Sequence, residues 1–177
     1  MSFETYEKSY GLVTQSETEP QNCIEIDGDE NFQQYLSEYN IVVVDVWANF
    51  CSPCKMIAPY YEKLASKYQL STEKKDIIFL KDCIDDDSIT SVHGDQVNVI
   101  PTFFVYVLGR LIGTIMGGDF KKMETILDNL LPSDTSVLIE KDKYYSSTIE
   151  KIYQDGILEP VEKKEVTEIK DLNLGVC

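Results

Sequence analysis

The sequence has a single histidine, few basic residues and no long apolar run, and each shortage removes a class of function. With 16 Lys and Arg against 31 Asp and Glu, the chain carries a formal charge of −15. That balance argues against nucleic acid and against anionic membranes, both of which demand basic patches. The longest apolar run, Val99–Leu108, is too short to span a bilayer and contains a proline. A metal site built around one histidine would have to draw on scattered cysteines, so His93 is read as a helical or loop-surface side chain. The first residues, MSFETYEKSYG, show neither the apolar core of a secretion signal nor the basic character of a transit peptide, which leads us to expect a cytoplasmic protein. In a reducing compartment the five cysteines are expected to be thiols, with one catalytic pair, rather than a disulfide framework.

What the chain does have is a junction. Ile41–Val46 is β-branched and apolar except for Asp45, as expected of a strand buried on both faces. Beyond it, Ile57, Tyr61, Leu64 and Tyr68 recur at helical spacing and mark an amphipathic helix. Cys51 and Cys54 fall between the two runs, at the helix start. The unpaired N–H groups and positive dipole end of a helix favour an anion, and a thiolate is one. Cys51 is therefore the candidate nucleophile, and Cys54, three residues on, is close enough to resolve a mixed disulfide. Pro53 loses no needed hydrogen bond in a first turn, whereas Pro59 should kink the helix. Taken alone, a Cys-x-x-Cys is also compatible with half of a zinc site or two buried thiols.

The surroundings narrow that choice. Val44-Asp-Val-Trp-Ala48 followed by Cys51-Ser-Pro-Cys-Lys-Met-Ile-Ala-Pro59 resembles the thioredoxin family over about Ile24 to Leu131. Ile100-Pro-Thr-Phe-Phe104 is similar to its cis-proline strand, and Gly117-Gly118 to its glycine turn before the last helix. Two departures stand out: Phe50 occupies the place of a second tryptophan, and Ser52 that of a glycine. The resemblance implies an α/β thioredoxin fold, a central mixed sheet with helices on both faces. It implies that Asp45, behind the second cysteine, assists its deprotonation, with Lys81 at the position of a lysine that often accompanies such an acid. Burial alone gives Asp45 a high cost if charged and unpaired, and should raise its pKa. The resemblance further implies that Ile100-Pro101 is cis and holds the backbone of an extended substrate peptide. Trp47, Phe50, Pro53, Ile100, Pro101 and Gly117 would form the docking rim; ordinary core packing is the competing reading for Trp47 and Phe50, and a plain turn for Gly117-Gly118.

The rest of the chain is organised around that body. Residues 1–22 read as a mobile arm, 23–132 as the thioredoxin-like domain, and 133–177 as an acidic C-terminal extension with one short helix. Further strands are expected at 23–26, 77–80, 103–108 and 111–116, the last two joined by a tight turn at Gly109-Arg110. Asp29 is the expected cap of a helix carrying Phe32, Tyr35, Leu36 and Tyr39, and a weaker helix is expected near 86–92. Phe120, Met123, Leu127 and Leu130 mark a helix ended by Pro132. In the extension, 136–139 reads as a short strand, and Ser147-Thr-Ile-Glu150 as a capping box before a helix stopped by Gly156, whose apolar face packs on the body or awaits a partner. Cys23 and Cys83 read as small buried hydrophobes, and Cys177 as an exposed thiol, with a regulatory disulfide and an inert thiol as its competing readings.

The expected activity is protein-disulfide reduction by dithiol exchange at the Cys-Ser-Pro-Cys site. No bound cofactor is expected; the family implies that a separate NADPH-dependent thioredoxin reductase supplies electrons to a monomeric protein acting on disulfide-containing protein substrates. The alternative is a redox-sensing adaptor or binding module whose extensions recruit a partner.

Overall fold

In the computed structural model, residues 22–69, 76–85 and 91–161 are described. The apolar run at 41–47 forms β2 (Ile41–Trp47), and six of its seven residues are buried. Such a strand needs partners along both edges and cover on both faces, and the chain supplies them. β3 (Ile77–Cys83) pairs with it in parallel, β4 (Thr102–Val107) antiparallel. β1 (Ile24–Glu25) extends the sheet beyond β3 and β5 (Arg110–Met116) beyond β4, giving the order β1-β3-β2-β4-β5.

Alternation along β2 sends Ile41 and Val43 into one core and Val42, Val44 and Val46 into another. The second core is covered by α1 (Gly28–Glu38) through Phe32, with Tyr35, Leu36 and Tyr39 packed around it. Asp29 lies in the first turn of α1 and not at its cap, which is Asp27. Asp27 makes no side-chain capping bond; its backbone N–H instead donates to Asn31 Oδ1 at 3.0 Å.

The first core is covered by α2 (Ser52–Gln69) and α3 (Phe120–Leu130). Tyr61, Leu64 and Tyr68 are buried as the helical spacing requires, and Pro59 is accommodated inside α2. The Tyr61 hydroxyl lies 2.9 Å from the Leu80 carbonyl and 3.1 Å from that of Val43, tying α2 to both central strands. Asp119 caps α3 by accepting from the Lys122 N–H, and the helix closes before Pro132.

Several local expectations are corrected. The β4–β5 turn is Leu108-Gly109, one residue earlier than expected, because both residues adopt positive φ (48° and 76°), the geometry of a two-residue hairpin turn. Residues 135–140 form a 3-10 helix and not a strand, started by Asp134 accepting from the Ser136 N–H. It runs into α4 (Lys141–Gln154), which begins six residues before the expected capping box; Ser147 lies inside it and bonds the Tyr144 carbonyl. His93 is not on the surface: it is fully buried, held between Asp82 and Tyr106. A short 3-10 turn follows it at Gly94–Gln96; most of the weaker helix expected near 86–92 lies outside the described residues.

The apolar face of α4 packs on the body. Tyr145 and Ile152 are buried in the α2–α3 core, and Tyr153 donates from its hydroxyl to the Ile112 carbonyl at 2.7 Å. Gly156, at φ 67°, lets the Ile157 N–H bond back to the Ile152 carbonyl and turns the chain toward the sheet. Leu158 then lies directly on Gly113, where an added Cβ would sit 2.9 Å from its methyl carbons. Truncating a fully buried isoleucine at such a contact removes transfer energy and leaves a cavity. Ile152→Ala is expected to cost roughly 2–5 kcal/mol. Urea unfolding followed by Trp47 fluorescence and far-UV circular dichroism should show one common, lowered midpoint; separate transitions would mean α4 is not part of the cooperative core.

Candidate active site

β2 ends at Trp47 and α2 begins at Ser52, so the intervening turn delivers Cys51 to the helix N-terminus. Cys51 and Cys54 are joined by a disulfide. The Cys54 backbone N–H points at the Cys51 sulfur at 3.1 Å, as the capping argument anticipates. Both cysteines are largely buried, Cys51 at 6% exposure being the more accessible. Ala48, Trp47, Ile84 and Ile100 pack around the pair.

The Ile100-Pro101 peptide is cis. The Pro101 carbonyl accepts from the Gly117 N–H at 2.8 Å, which joins the proline to the turn before α3. Gly117 has φ 74°, so glycine is favoured there by backbone conformation. A Cβ on Gly117 would meet nothing within 4 Å; the crowded position is Gly118, where it would lie 3.1 Å from Ile57. Phe50 is 74% exposed, and Met116, Met56 and Val99 are also exposed apolar side chains. Core packing therefore does not explain Phe50. Trp47 is half-buried, with its indole N–H donating to Glu25 Oε1 at 2.9 Å. Pro53 is exposed in the first turn of α2.

Asp45 lies two residues before Trp47 on β2 and is 1% exposed, with Oδ1 lacking any hydrogen-bond partner. Its register partner on β3 is Lys81. Burial pushes the Asp45 carboxyl up to about 7; Lys81 opposes the shift, and Glu25 and Glu62 add to it. Lys81 gives Asp45 limited relief because its ammonium lies 3.4 Å from Glu62 Oε1. Glu62 is the member of this cluster that sequence reasoning missed. Its second oxygen accepts from the Asn22 and Cys23 N–H groups at 2.9 and 3.2 Å. The available signal was its place on α2 beside Tyr61, eight residues after Cys54 and so near the same helix face. Cys23 is a buried thiol whose pKa burial pushes well up, with Glu62 as the next cause, so it is an unreactive neighbour. Cys83 is half-buried, its thiol 3.2 Å from Asp85 Oδ2. Cys177 lies outside the described residues.

The raised Asp45 value links stability to pH. Between the ordinary carboxyl value of 3.8 and about 7 the folded chain holds a proton that the unfolded chain has released, so stability falls as pH rises through that window. Asp45→Asn should relieve this, raising the stability of the oxidised protein by roughly 4 kcal/mol near pH 8 and by almost nothing at about pH 3.5. Urea midpoints of both proteins across that range give the answer; a difference independent of pH would refute the assignment.

A family model for thioredoxin matches residues 24–130. The thioredoxin of Mus musculus is 35% identical over 102 residues, covering 56% of this chain and 90% of that protein. The oxidized form of mitochondrial thioredoxin 3 from Saccharomyces cerevisiae is 28% identical with a TM-score of 0.51, covering 60% of this chain and 94% of that one. A structure concerned with the thiol resolving mechanism of a yeast mitochondrial 1-Cys peroxiredoxin via glutathione/thioredoxin systems is 26% identical with a TM-score of 0.52, covering 60% of this chain and 94% of the other. The family match spans the body that carries the disulfide, and with it the chain belongs to the thioredoxin family and is a thioredoxin-like protein-disulfide reductase working through Cys51 and Cys54.

Proposed function

We propose that Cys51 attacks a disulfide of a protein substrate, and that Cys54 then attacks the mixed disulfide to release reduced product and close the Cys51–Cys54 bond. The observation that carries this order is the helix-start geometry: Cys51 is the more exposed residue of the pair and its sulfur faces a helix N–H. In the first step the substrate's leaving sulfur takes up a proton; in the second, Cys54 must give one up. Asp45, pushed to about 7, is suited to accept that proton near neutrality, and Lys81 tempers its charge.

Docking would use the exposed Phe50 and Pro53, with Ile100 presenting its backbone to an extended peptide beside cis-Pro101 and Gly117, a mode tolerant of substrate sequence. Trp47, tied to Glu25, would support the floor of that surface. Partners would be disulfide-containing proteins, a reading supported by the peroxiredoxin-related structure, and a thioredoxin reductase drawing on NADPH would return the pair to the dithiol. We place this cycle in the cytoplasm, in keeping with the free thiols of Cys23 and Cys83.

Insulin reduction driven by NADPH and a thioredoxin reductase is the direct test. Wild type should turn over; Cys51→Ser and Cys54→Ser should both lose turnover, and only Cys54→Ser should accumulate a stable mixed disulfide. Phe50→Ala should raise KM for insulin several-fold, the loss of one apolar contact being worth about 1–2 kcal/mol. Absence of wild-type turnover despite a reducible pair would favour the adaptor reading.

A further inference from the structure

The sheet face covered by α1, opposite the one that holds Asp45, contains a buried polar chain that the dithiol chemistry leaves unused. Asp82 on β3 and Tyr106 on β4 lie on either side of β2, in register with Val46 and Val42. His93 joins them across that strand. Asp82 Oδ2 accepts the backbone N–H groups of His93 and Val92 at 2.7 and 3.0 Å and lies 2.7 Å from His93 Nδ1. His93 Nε2 is 2.9 Å from the Tyr106 hydroxyl. Phe32 and Phe104 enclose the imidazole, with ring centroids 4.9 and 4.7 Å away. Asp82 Oδ1 has no hydrogen-bond partner.

Such an arrangement is a poor way to obtain stability. A buried charged or polar pair is often replaceable by apolar side chains at no loss, so what it supplies is a fixed geometry. The geometry fixed here is that of the segment from Ser91 to Pro101. Its start is pinned to β3 by two backbone bonds and to β4 by the imidazole. The next turn is fastened to that anchor, Gln96 bonding the His93 carbonyl through its N–H and the Val92 carbonyl through its side chain. The far end is held by the Thr102 hydroxyl donating to the Val99 carbonyl at 2.6 Å. Val97 and Ile100 pack into the same α1-side core, and Ile100 also touches the Cys51–Cys54 cluster.

We propose that Asp82, His93 and Tyr106 are positioning residues of the reductase site, holding residues 91–100 so that Ile100 and cis-Pro101 present a fixed docking edge beside Cys51. This rests on the reading that Ile100 and Pro101 receive protein substrates. Loss of the clamp lets the docking edge wander while the sulfur chemistry is untouched.

The test is the double variant Asp82→Leu/His93→Leu, which replaces both buried polar partners by apolar ones. It should stay folded, with amide hydrogen exchange at residues 92–100 accelerated about tenfold or more. KM for insulin should rise about tenfold, the worth of one to two positioned hydrogen bonds, with kcat, the redox potential of the pair and the reduction of a small aromatic disulfide unchanged. Unchanged exchange at 92–100, or equal losses on insulin and the small disulfide, would overturn the proposal. Should the double variant fail to fold, Tyr106→Phe removes only the terminal hydroxyl and should move KM and exchange in the same direction, by about threefold; no movement in either would overturn it equally. Ile100→Ala in the wild-type background tests the docking reading by itself. If that variant leaves KM for insulin unmoved, the docking reading fails, and with it the proposed benefit of the clamp to substrate binding, whatever exchange shows.

Discussion

Burial of β2 on both faces leaves its backbone and its side chains with no recourse to water, and most of the architecture answers that condition. Its hydrogen bonds are taken up by β3 on one edge and β4 on the other. Its two rows of side chains are covered by different layers, α1 on one side and α2 with α3 on the other. A strand enclosed in this way can emerge only at its end, and the chain emerges there directly into α2. The cysteines stand where a deeply buried strand gives way to a helix N-terminus, with Cys51 still partly reachable from solvent.

The same enclosure governs the charges. Buried Asp45 and half-buried Glu62, with the more exposed Glu25 nearby, face the ammonium of Lys81, which is closest to Glu62. Burial above all keeps Asp45 poised near neutrality instead of simply ionised, with Lys81 opposing it and the two glutamates adding to it. A strong private ion pair between Lys81 and Asp45 would have removed that poise. The imbalance is therefore part of the site's design, as the unpaired Oδ1 of Asp45 also indicates.

How much of this could be read from the sequence depended on how local each signal was. The strand at 41–47, the apolar stripe of α2 and the cysteine spacing are patterns within a few residues, and each leads to the observed element, while the cis proline at 101 follows from the family resemblance. His93 was misplaced because its partners, Asp82 and Tyr106, are eleven and thirteen residues away and meet it only across the sheet. The clue was present in Asp82 itself, which alternates with the buried Ile78 and Leu80 on one face of β3. The hairpin turn shifted by a residue because leucine at positive φ is rare and local propensity argues against it. α4 starts early because the polar Lys141-Asp-Lys143 turn carries no apolar period, and Ser147 resembles a cap although it lies mid-helix. Glu62 required knowing which turn of α2 lies over β1 and β3.

The contact of Leu158 with Gly113 bears on what counts as the unit of folding here. The family match ends at residue 130, the close of α3, yet in this chain a side chain well beyond that point fills the space left by a missing Cβ on β5. β5 is an edge strand, and edges that carry apolar side chains invite pairing with other chains. Trimming the protein to family length would uncover Ile112, Gly113 and the adjoining core at that edge. The added helix and its return segment therefore share one core with the sheet, and the folding unit of this chain extends past the length of the family match.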